Sequence, residues 1–452
     1  MAKMTIILAA VLCCSLIGCT DGEAERPHIV LISVDTLRWD YLRAYGYEEP
    51  EITPTVDWLA ANGTLFEQAV ASAGTTVPSH GSMLTGLYPR QHGARSNHHG
   101  LYPETDTIAR ALSDAGYATG AFMSVRFMPR IGELNRGFQV DNLAALNAHG
   151  SWYPQTGEET LAQLGGWLDS LSGEQPIFLF LHLWEPHTPF EPTAWSEARM
   201  AGYDGLLRDG LTVELLQQHG EEIKNSLQHL AALRSLYAGE VNLLDRVLAR
   251  FFEGWRERGL LDDTVVVFTA DHGEGLGEGD RLGHGPTHNE YVIRVPLIIS
   301  DFRRPAGRRV DTRVGTIDIA PTIADLAGLE ERFDLLGYSL LDPAALDPEK
   351  PYFAEVALRT SDEKPEGSWY DPNALGVWIG DLKLVSRHEQ QTLFATFADN
   401  REPEPVPTGN EAIMLNYMAG LIETFRETEL DLSQGALPED AIEELKGLGY
   451  VQ

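Results

Sequence analysis

The stretch HIVLISVDTLR, residues 28–38, is an uninterrupted apolar run closed by an aspartate. A strand with one wet face alternates in polarity, whereas one covered on both faces does not, and the latter is the habit of central strands in parallel sheets. The pattern predicts a strand over His28–Val34. Asp35 then sits at the carboxyl end of that strand, the edge along which open α/β sheets hold their ligands.

The same grammar recurs at residues 264–273, TVVVFTADHG, where an apolar strand over Val265–Ala270 runs into Asp271 and His272. Similar runs predict strands over Ala118–Val125, Ile177–Trp184 and Pro296–Ser300. Helices are expected from Thr53-Pro54 to Ala61, stopped by Asn62-Gly63, over Thr107–Ala115, through the amphipathic region Glu222–Arg258, and over Ile317–Ala327. This alternation predicts an α/β fold, a mixed, mostly parallel sheet flanked by helices. Beyond residue 330 the character changes. Residues 342–351 read as a linker, and Tyr352–Val356, Gly376–Gly380 and Lys383–Arg387 as short strands. Residues 399–407 read as an acidic surface loop and Pro438–Leu448 as a last helix.

The 452 residues carry a formal charge of -33, which argues against a nucleic-acid partner because phosphate backbones are gripped by clustered Lys and Arg. The three cysteines all precede residue 20: Cys13, Cys14 and Cys19. An early lysine, an apolar run from Ile6 to Ile17 and the sequence Leu16-Ile17-Gly18-Cys19 resemble a bacterial lipoprotein signal. The run is short of the roughly 20 residues a spanning helix needs. On this reading residues 1–18 are a signal peptide, Cys19 is lipidated, and residues 19–27 are a tether. The chain would then lie in the bacterial cell envelope, held to the membrane by its lipid and facing the periplasm or the exterior.

Aspartates after apolar strands are often turn residues or helix caps, but Asp35, Asp271 and His272 together offer a divalent metal two hard oxygens and a nitrogen. The imidazole shifts the preference toward zinc or manganese over calcium or magnesium. A further segment, TTVPSHGSMLTGLYPRQHG at residues 75–93, places Thr76 before Pro78 at a helix start. Threonine there is an ordinary cap, yet free amides at a helix N-terminus also suit a nucleophile that attacks an anionic ester.

These segments in this order resemble the sulfatase family of the alkaline phosphatase superfamily, across about residues 28–330. The frame Thr76-Val77-Pro78-Ser79-His80, then Leu84-Thr85-Gly86, Tyr88-Pro89 and His92-Gly93, follows the family's nucleophile signature, with Thr76 where the family carries the Cys or Ser that becomes formylglycine. Val34-Asp35-Thr36-Leu37-Arg38, Asp271-His272-Gly273, Arg294-Val295-Pro296-Leu297 and Asp318-Ile319-Ala320-Pro321-Thr322 match its other landmarks. The resemblance implies a catalytic domain over residues 28–330 and a subdomain over residues 331–452 bearing a small antiparallel sheet. It implies metal ligation by Asp35, Thr36, Thr76, Asp271 and His272, catalysis by Thr76, His187 and His284, and an anionic ester bound with help from Arg38, His80 and Asn97.

The departures are informative too. His80 replaces the family's arginine, His284 stands in place of a sulfate-binding lysine, and Arg38 could equally pair with Asp40. His182 is expected in the core or behind the site. A formylglycine hydrate expels sulfate through its second hydroxyl, which threonine lacks, so an intermediate on Thr76 must be opened by an external nucleophile. The leading expectation is therefore hydrolysis of a phosphate mono- or diester. The alternatives are sulfate ester hydrolysis and a non-catalytic lipoprotein that binds an anionic glycan or partner.

Overall fold

Strand β1 (His28–Val34) is buried at every residue after His28. Its neighbours explain why, because it is hydrogen-bonded in parallel on both sides, to residues 177–183 and to residues 264–270. The computed structural model describes residues 26–148, 154–173, 175–285, 287–329, 336–356, 374–387, 390–395, 404–405 and 412–426. The signal peptide, Cys19, most of the tether, most of the 399–407 loop and the helix expected at Pro438–Leu448 lie outside the described residues.

The main sheet continues in chain order with β2 (Thr64–Val70), β3 (Ala118–Met123), β4 (Val140–Asp141), β5 (Ile177–Leu183) and β6 (Thr264–Ala270). After a small hairpin of β7 (Gly275–Leu276) and β8 (Leu282–Gly283) come β9 (Arg294–Asp301), β10 (Arg308–Val310) and β11 (Val314–Gly315). Across the sheet the order is β10-β2-β9-β6-β1-β5-β3-β4, with β11 also against β2. All neighbours run parallel except β9, which is antiparallel to both β6 and β2. The sheet is thus mixed and mostly parallel, as the alternation predicts.

Register decides where function gathers. Val34 is level with Leu183 on one side and with Ala270 on the other. Asp35, the segment after Leu183 and Asp271 therefore leave the sheet along one edge. Thr269 is level with Leu297 and Val70 with Arg294, so the chain leaving β2 emerges at that edge too.

Helices α1 (Pro54–Ala61), α2 (Thr76–Thr85), α3 (Ile108–Asp114), α4 (Val213–Lys224), α5 (Leu227–Glu257) and α6 (Ile319–Leu326) surround this frame. The single helical region expected over 222–258 is two helices. Ser226 ends the first by accepting the His229 amide as the cap of α5, and the Asn225 side chain turns back to the Glu221 carbonyl. The strand β2 was not foreseen, because Glu67 and Gln68 interrupt its apolar run. It pairs with β9 through a register shift between Phe66 and Ala69.

The carboxyl-terminal part forms an antiparallel sheet, β12 (Tyr352–Glu355), β13 (Leu375–Ile379), β14 (Leu382–Arg387), β15 (Gln390–Ala395) and β16 (Glu404–Pro405), in that order. A further helix, α7 (Ala412–Arg426), contributes Met418, Ile422 and Phe425 to the same apolar cluster as Val377 and Trp378. Among the described residues no helix is long and apolar enough to cross a membrane.

Candidate active site

Asp35, Asp271 and His272 are fully buried, and each offers a ligand atom lying within 4.8 Å of the others. The cluster follows from register, since β1 and β6 are neighbours and both aspartates come directly after them. Burial, and next the like charge of Asp35, hold the Asp271 carboxyl well above its ordinary range. His272 donates from Nδ1 to the Gly273 carbonyl at 3.0 Å, which leaves Nε2 as its lone-pair nitrogen. That Nε2 and Asp271 Oδ2 have no hydrogen-bond partner although both are buried and 3.4 Å apart. Two carboxylates and an imidazole lone pair converging in a buried site form a donor set that fits a divalent cation.

Thr36 adds to the cluster in an unusual way. Its φ of 56° lies in the left-handed region that a β-branched residue avoids. The conformation is held from both sides: its amide donates to Asp271 Oδ1 at 3.1 Å, and its carbonyl accepts from the buried Tyr237 hydroxyl at 2.7 Å. Its own hydroxyl is buried without a hydrogen-bond partner.

Thr76 is the first residue of α2, the cap position being Thr75, so Thr76 does not serve as an ordinary cap. Two side chains of this helix reach Asp271. The Ser79 hydroxyl donates to the Asp271 carbonyl at 2.7 Å, and His80 Nδ1 lies 3.7 Å from Asp271 Oδ2. The start of α2 is thereby fixed against the carboxylate cluster.

His80 is turned inward. Expected to contact substrate, it instead donates from Nδ1 to the Thr76 carbonyl at 2.8 Å and engages the Ser33 hydroxyl through Nε2 at 2.8 Å, with no surface exposed. A shorter ring in place of the family's arginine stays within the helix and braces it. Asn97 likewise works on the protein, its side-chain oxygen accepting the Val77 amide at 2.9 Å beside Thr76. Arg38 holds Asp40 at 2.6 Å, Glu278 at 3.0 Å and the Glu274 carbonyl at 3.1 Å, all while buried. Of the two readings open for it, pairing with Asp40 is the one observed.

His187 and His284 stand in a row with His272. The ring centroids of His187 and His284 are 5.0 Å apart, and those of His284 and His272 4.6 Å. His187 donates from Nδ1 to the Thr188 carbonyl at 2.6 Å, and burial pushes its pKa well below the ordinary histidine value. Burial also opposes charge on His284, but Glu274 and then Asp35 and Asp271 outweigh it and raise the pKa. His182 is buried with Nε2 3.5 Å from Asp35 Oδ2, behind the cluster as expected.

Sequence reasoning missed Glu274, Ser33 and Tyr237, and it placed Ser79 in the nucleophile signature without its contact to Asp271. Only Glu274 had a signal to offer, a carboxylate two residues beyond His272. The others act through contacts between distant segments.

A family description, Sulfatase, matches residues 27–329. The chain is 28% identical over 394 residues to the multifunctional alkaline phosphatase superfamily protein PehA of Trinickia caryophylli, covering 70% of this chain and 76% of that protein. It is 25% identical over 377 residues to an arylsulfatase of Clostridium perfringens (strain 13 / Type A), covering 70% and 78%. Its fold resembles that of the phosphonate monoester hydrolase of Agrobacterium radiobacter, with a TM-score of 0.67, 23% identity, and 92% and 99% of the two chains covered.

Proposed function

The chain belongs to the sulfatase family of ester hydrolases, and from that premise we propose that it cleaves a phosphate mono- or diester with Thr76 as nucleophile. The observation that carries this reading is the placement of a threonine at the first turn of α2, braced by Ser79 and His80 against Asp271. The relatives named above include a phosphonate monoester hydrolase and an arylsulfatase, and the chemistry of a threonine nucleophile favours phosphorus over sulfur. Family membership disfavours a lipoprotein that only binds.

Asp35, Asp271 and His272 would hold a divalent cation, with the Thr36 and Thr76 hydroxyls as further oxygens. Such a cation supplies Lewis acidity, lowering the pKa of a nearby hydroxyl and offsetting the charge of the ester. The protein's own groups do the rest. The Thr76 oxygen bonds to phosphorus while the bond from phosphorus to the alcohol oxygen breaks, and the departing alcohol takes up a proton. Water then attacks phosphorus, the bond to Thr76 breaks, and the hydroxyl recovers its proton. The dipole of α2, whose first residue is Thr76, favours negative charge on the phosphoryl group. Since Nδ1 of His187 is committed to a carbonyl, that ring exchanges protons through Nε2, as a general acid or base must with the leaving oxygen or water. Delivery to the cell envelope on a lipid at Cys19 is part of the same proposal.

The test compares residues 20–452 with the Thr76→Ala variant on matched aryl sulfate, phosphate monoester and phosphate diester, each with zinc, manganese, magnesium and calcium. Phosphate ester turnover that falls at least about 1,000-fold in the variant, with the metal supplied at saturation for both proteins, is the expected result. Faster turnover of the sulfate ester would reverse the order of substrates.

A further inference from the structure

Glu274 and His284 form a carboxylate and imidazole pair at the edge of the candidate site. Glu274 Oε2 lies 3.2 Å from His284 Nδ1. The carboxylate is itself anchored, since Glu274 is 2% exposed and its Oε1 accepts the Gly275 amide at 3.2 Å. Its backbone is held as well, the carbonyl receiving Arg38 Nη1 at 3.1 Å. Beyond it lies a recess lined by Phe190, Leu211, Leu216, Leu233 and Leu276, so the carboxylate has apolar neighbours on that side.

His284 has less local support from its own segment. It follows the two-residue strand β8 and is flanked by Gly283 and Gly285, at φ of 82° and 118°. Glycines on both sides give the backbone no side chains with which to fix the ring's direction. The orientation of the imidazole must therefore come from what the ring touches, and Glu274 Oε2 is a strong acceptor within reach.

We propose that Glu274 is a positioning residue that sets the tautomer and orientation of His284 for ester cleavage. The proposal rests on the reading of His284 as part of the ester-cleaving site. A carboxylate can only accept, so Nδ1 of His284 carries a hydrogen whether the ring is neutral or charged. Nε2 is then always the nitrogen that meets the ester. The arrangement makes a histidine act from a fixed direction, where a lysine would bring a flexible stem and a point charge.

The test has two arms so that failure here differs from failure of the ester-hydrolase reading. In the first, histidine side-chain nitrogen spectra of residues 20–452 are recorded, with His284 identified among the 14 histidines by its loss in His284→Ala. The expected spectrum has a proton on Nδ1 of His284, and in Glu274→Ala that pattern gives way to a mixture or to Nε2 protonation. A wild-type ring protonated on Nε2 alone overturns the proposal, as does an unchanged His284 pattern in Glu274→Ala. The wild-type spectrum decides by itself should the variant not fold, and it needs no substrate.

In the second arm, aryl phosphate kinetics are measured for Glu274→Ala, His284→Ala and the double variant. Glu274→Ala is expected to lower kcat about 10- to 100-fold, the usual effect of losing such an outer partner, with KM changed by less than about threefold. In the His284→Ala background the same change should have no further effect. Full additivity of the two losses would assign Glu274 a role apart from His284 and overturn the proposal.

Discussion

Thr36 holds a backbone conformation that favours glycine, at a φ of 56°, with its amide on Asp271 Oδ1 and its hydroxyl buried without a hydrogen-bond partner. Strain of this kind costs on the order of 1–3 kcal/mol and persists where surrounding contacts over-determine it. Thr36→Gly relieves the strain but adds about 0.5–1 kcal/mol of unfolded-state entropy. Stability in denaturant should therefore hold or rise by up to ~2.5 kcal/mol, while zinc or manganese affinity measured by titration falls. A clear loss of stability would mean the hydroxyl is structural. Glu240 gives a second prediction at this scale. Burial, opposed by the Glu191 amide at 2.7 Å, raises its pKa from 4.5 to about 8. Between those values the folded chain keeps a proton that the unfolded chain has lost, so stability falls as pH rises, by at most about 1.4 kcal/mol per unit. Glu240→Gln keeps an acceptor for the Glu191 amide and cannot ionise. Its unfolding free energy should match the wild type near pH 4.5 and exceed it at pH 8, by up to about 4 kcal/mol. Residues such as Asp35 and Asp271 were legible in sequence because each ends an apolar strand. Glu240, His80 and Tyr237 were not, since their meaning lies in partners dozens or hundreds of positions away.

At the scale of elements, the turn that follows β6 shows how closely backbone must approach backbone to aim a ligand. Gly273 donates its amide to the Val292 carbonyl at 2.8 Å, and a Cβ built on it would stand 2.1 Å from the Tyr291 carbonyl oxygen. No side chain fits there without moving either the turn or the segment before β9. Gly273→Ala should cost about 1–3 kcal/mol as overpacking does, and displacement of the adjacent His272 should weaken metal binding more than tenfold, read by titration with zinc. Metal affinity within twofold of wild type would show that the segment at Tyr291 yields instead. The central strands and the helices α1 and α3 were readable from the sequence, because apolar runs, the Pro54 start and the Thr107 cap are local signals. The start of α1 nonetheless draws on a distant group, Asp245 of α5, which accepts the Thr55 and Val56 amides at 3.0 Å. The antiparallel insertion of β9 between β6 and β2 and the helix α7 had no local signal. Strand direction depends on connection geometry, and α7 is defined by the apolar face of the small sheet that it covers.

For the whole molecule, the boundary near residue 330 separates two sheets but not two cores. One apolar cluster joins Val70, Tyr88, Tyr291, Val292, Ile293 and Ile317 of the larger part to Tyr352, Phe353, Leu375, Val377, Trp378 and Phe425 of the smaller. Buried charges cross the same boundary. Lys350 meets Asp318 at 2.7 Å, Lys383 meets Glu290 at 3.0 Å, and Arg90 meets Glu355 at 3.1 Å. Removing one member of a buried ion pair costs on the order of 3–5 kcal/mol because the other is left uncompensated. A whole domain has only about 5–15 kcal/mol of stability to lose. Loss of three such partners together with the apolar cover exceeds what the larger part can tolerate. The full chain should therefore unfold in one calorimetric transition whose measured and van't Hoff enthalpies agree. Residues 26–329 expressed alone should be insoluble or lack a cooperative transition. A soluble fragment with its own sharp melting, and with metal bound at Asp35, Asp271 and His272, would show instead that the small sheet is an accessory whose removal leaves the site intact.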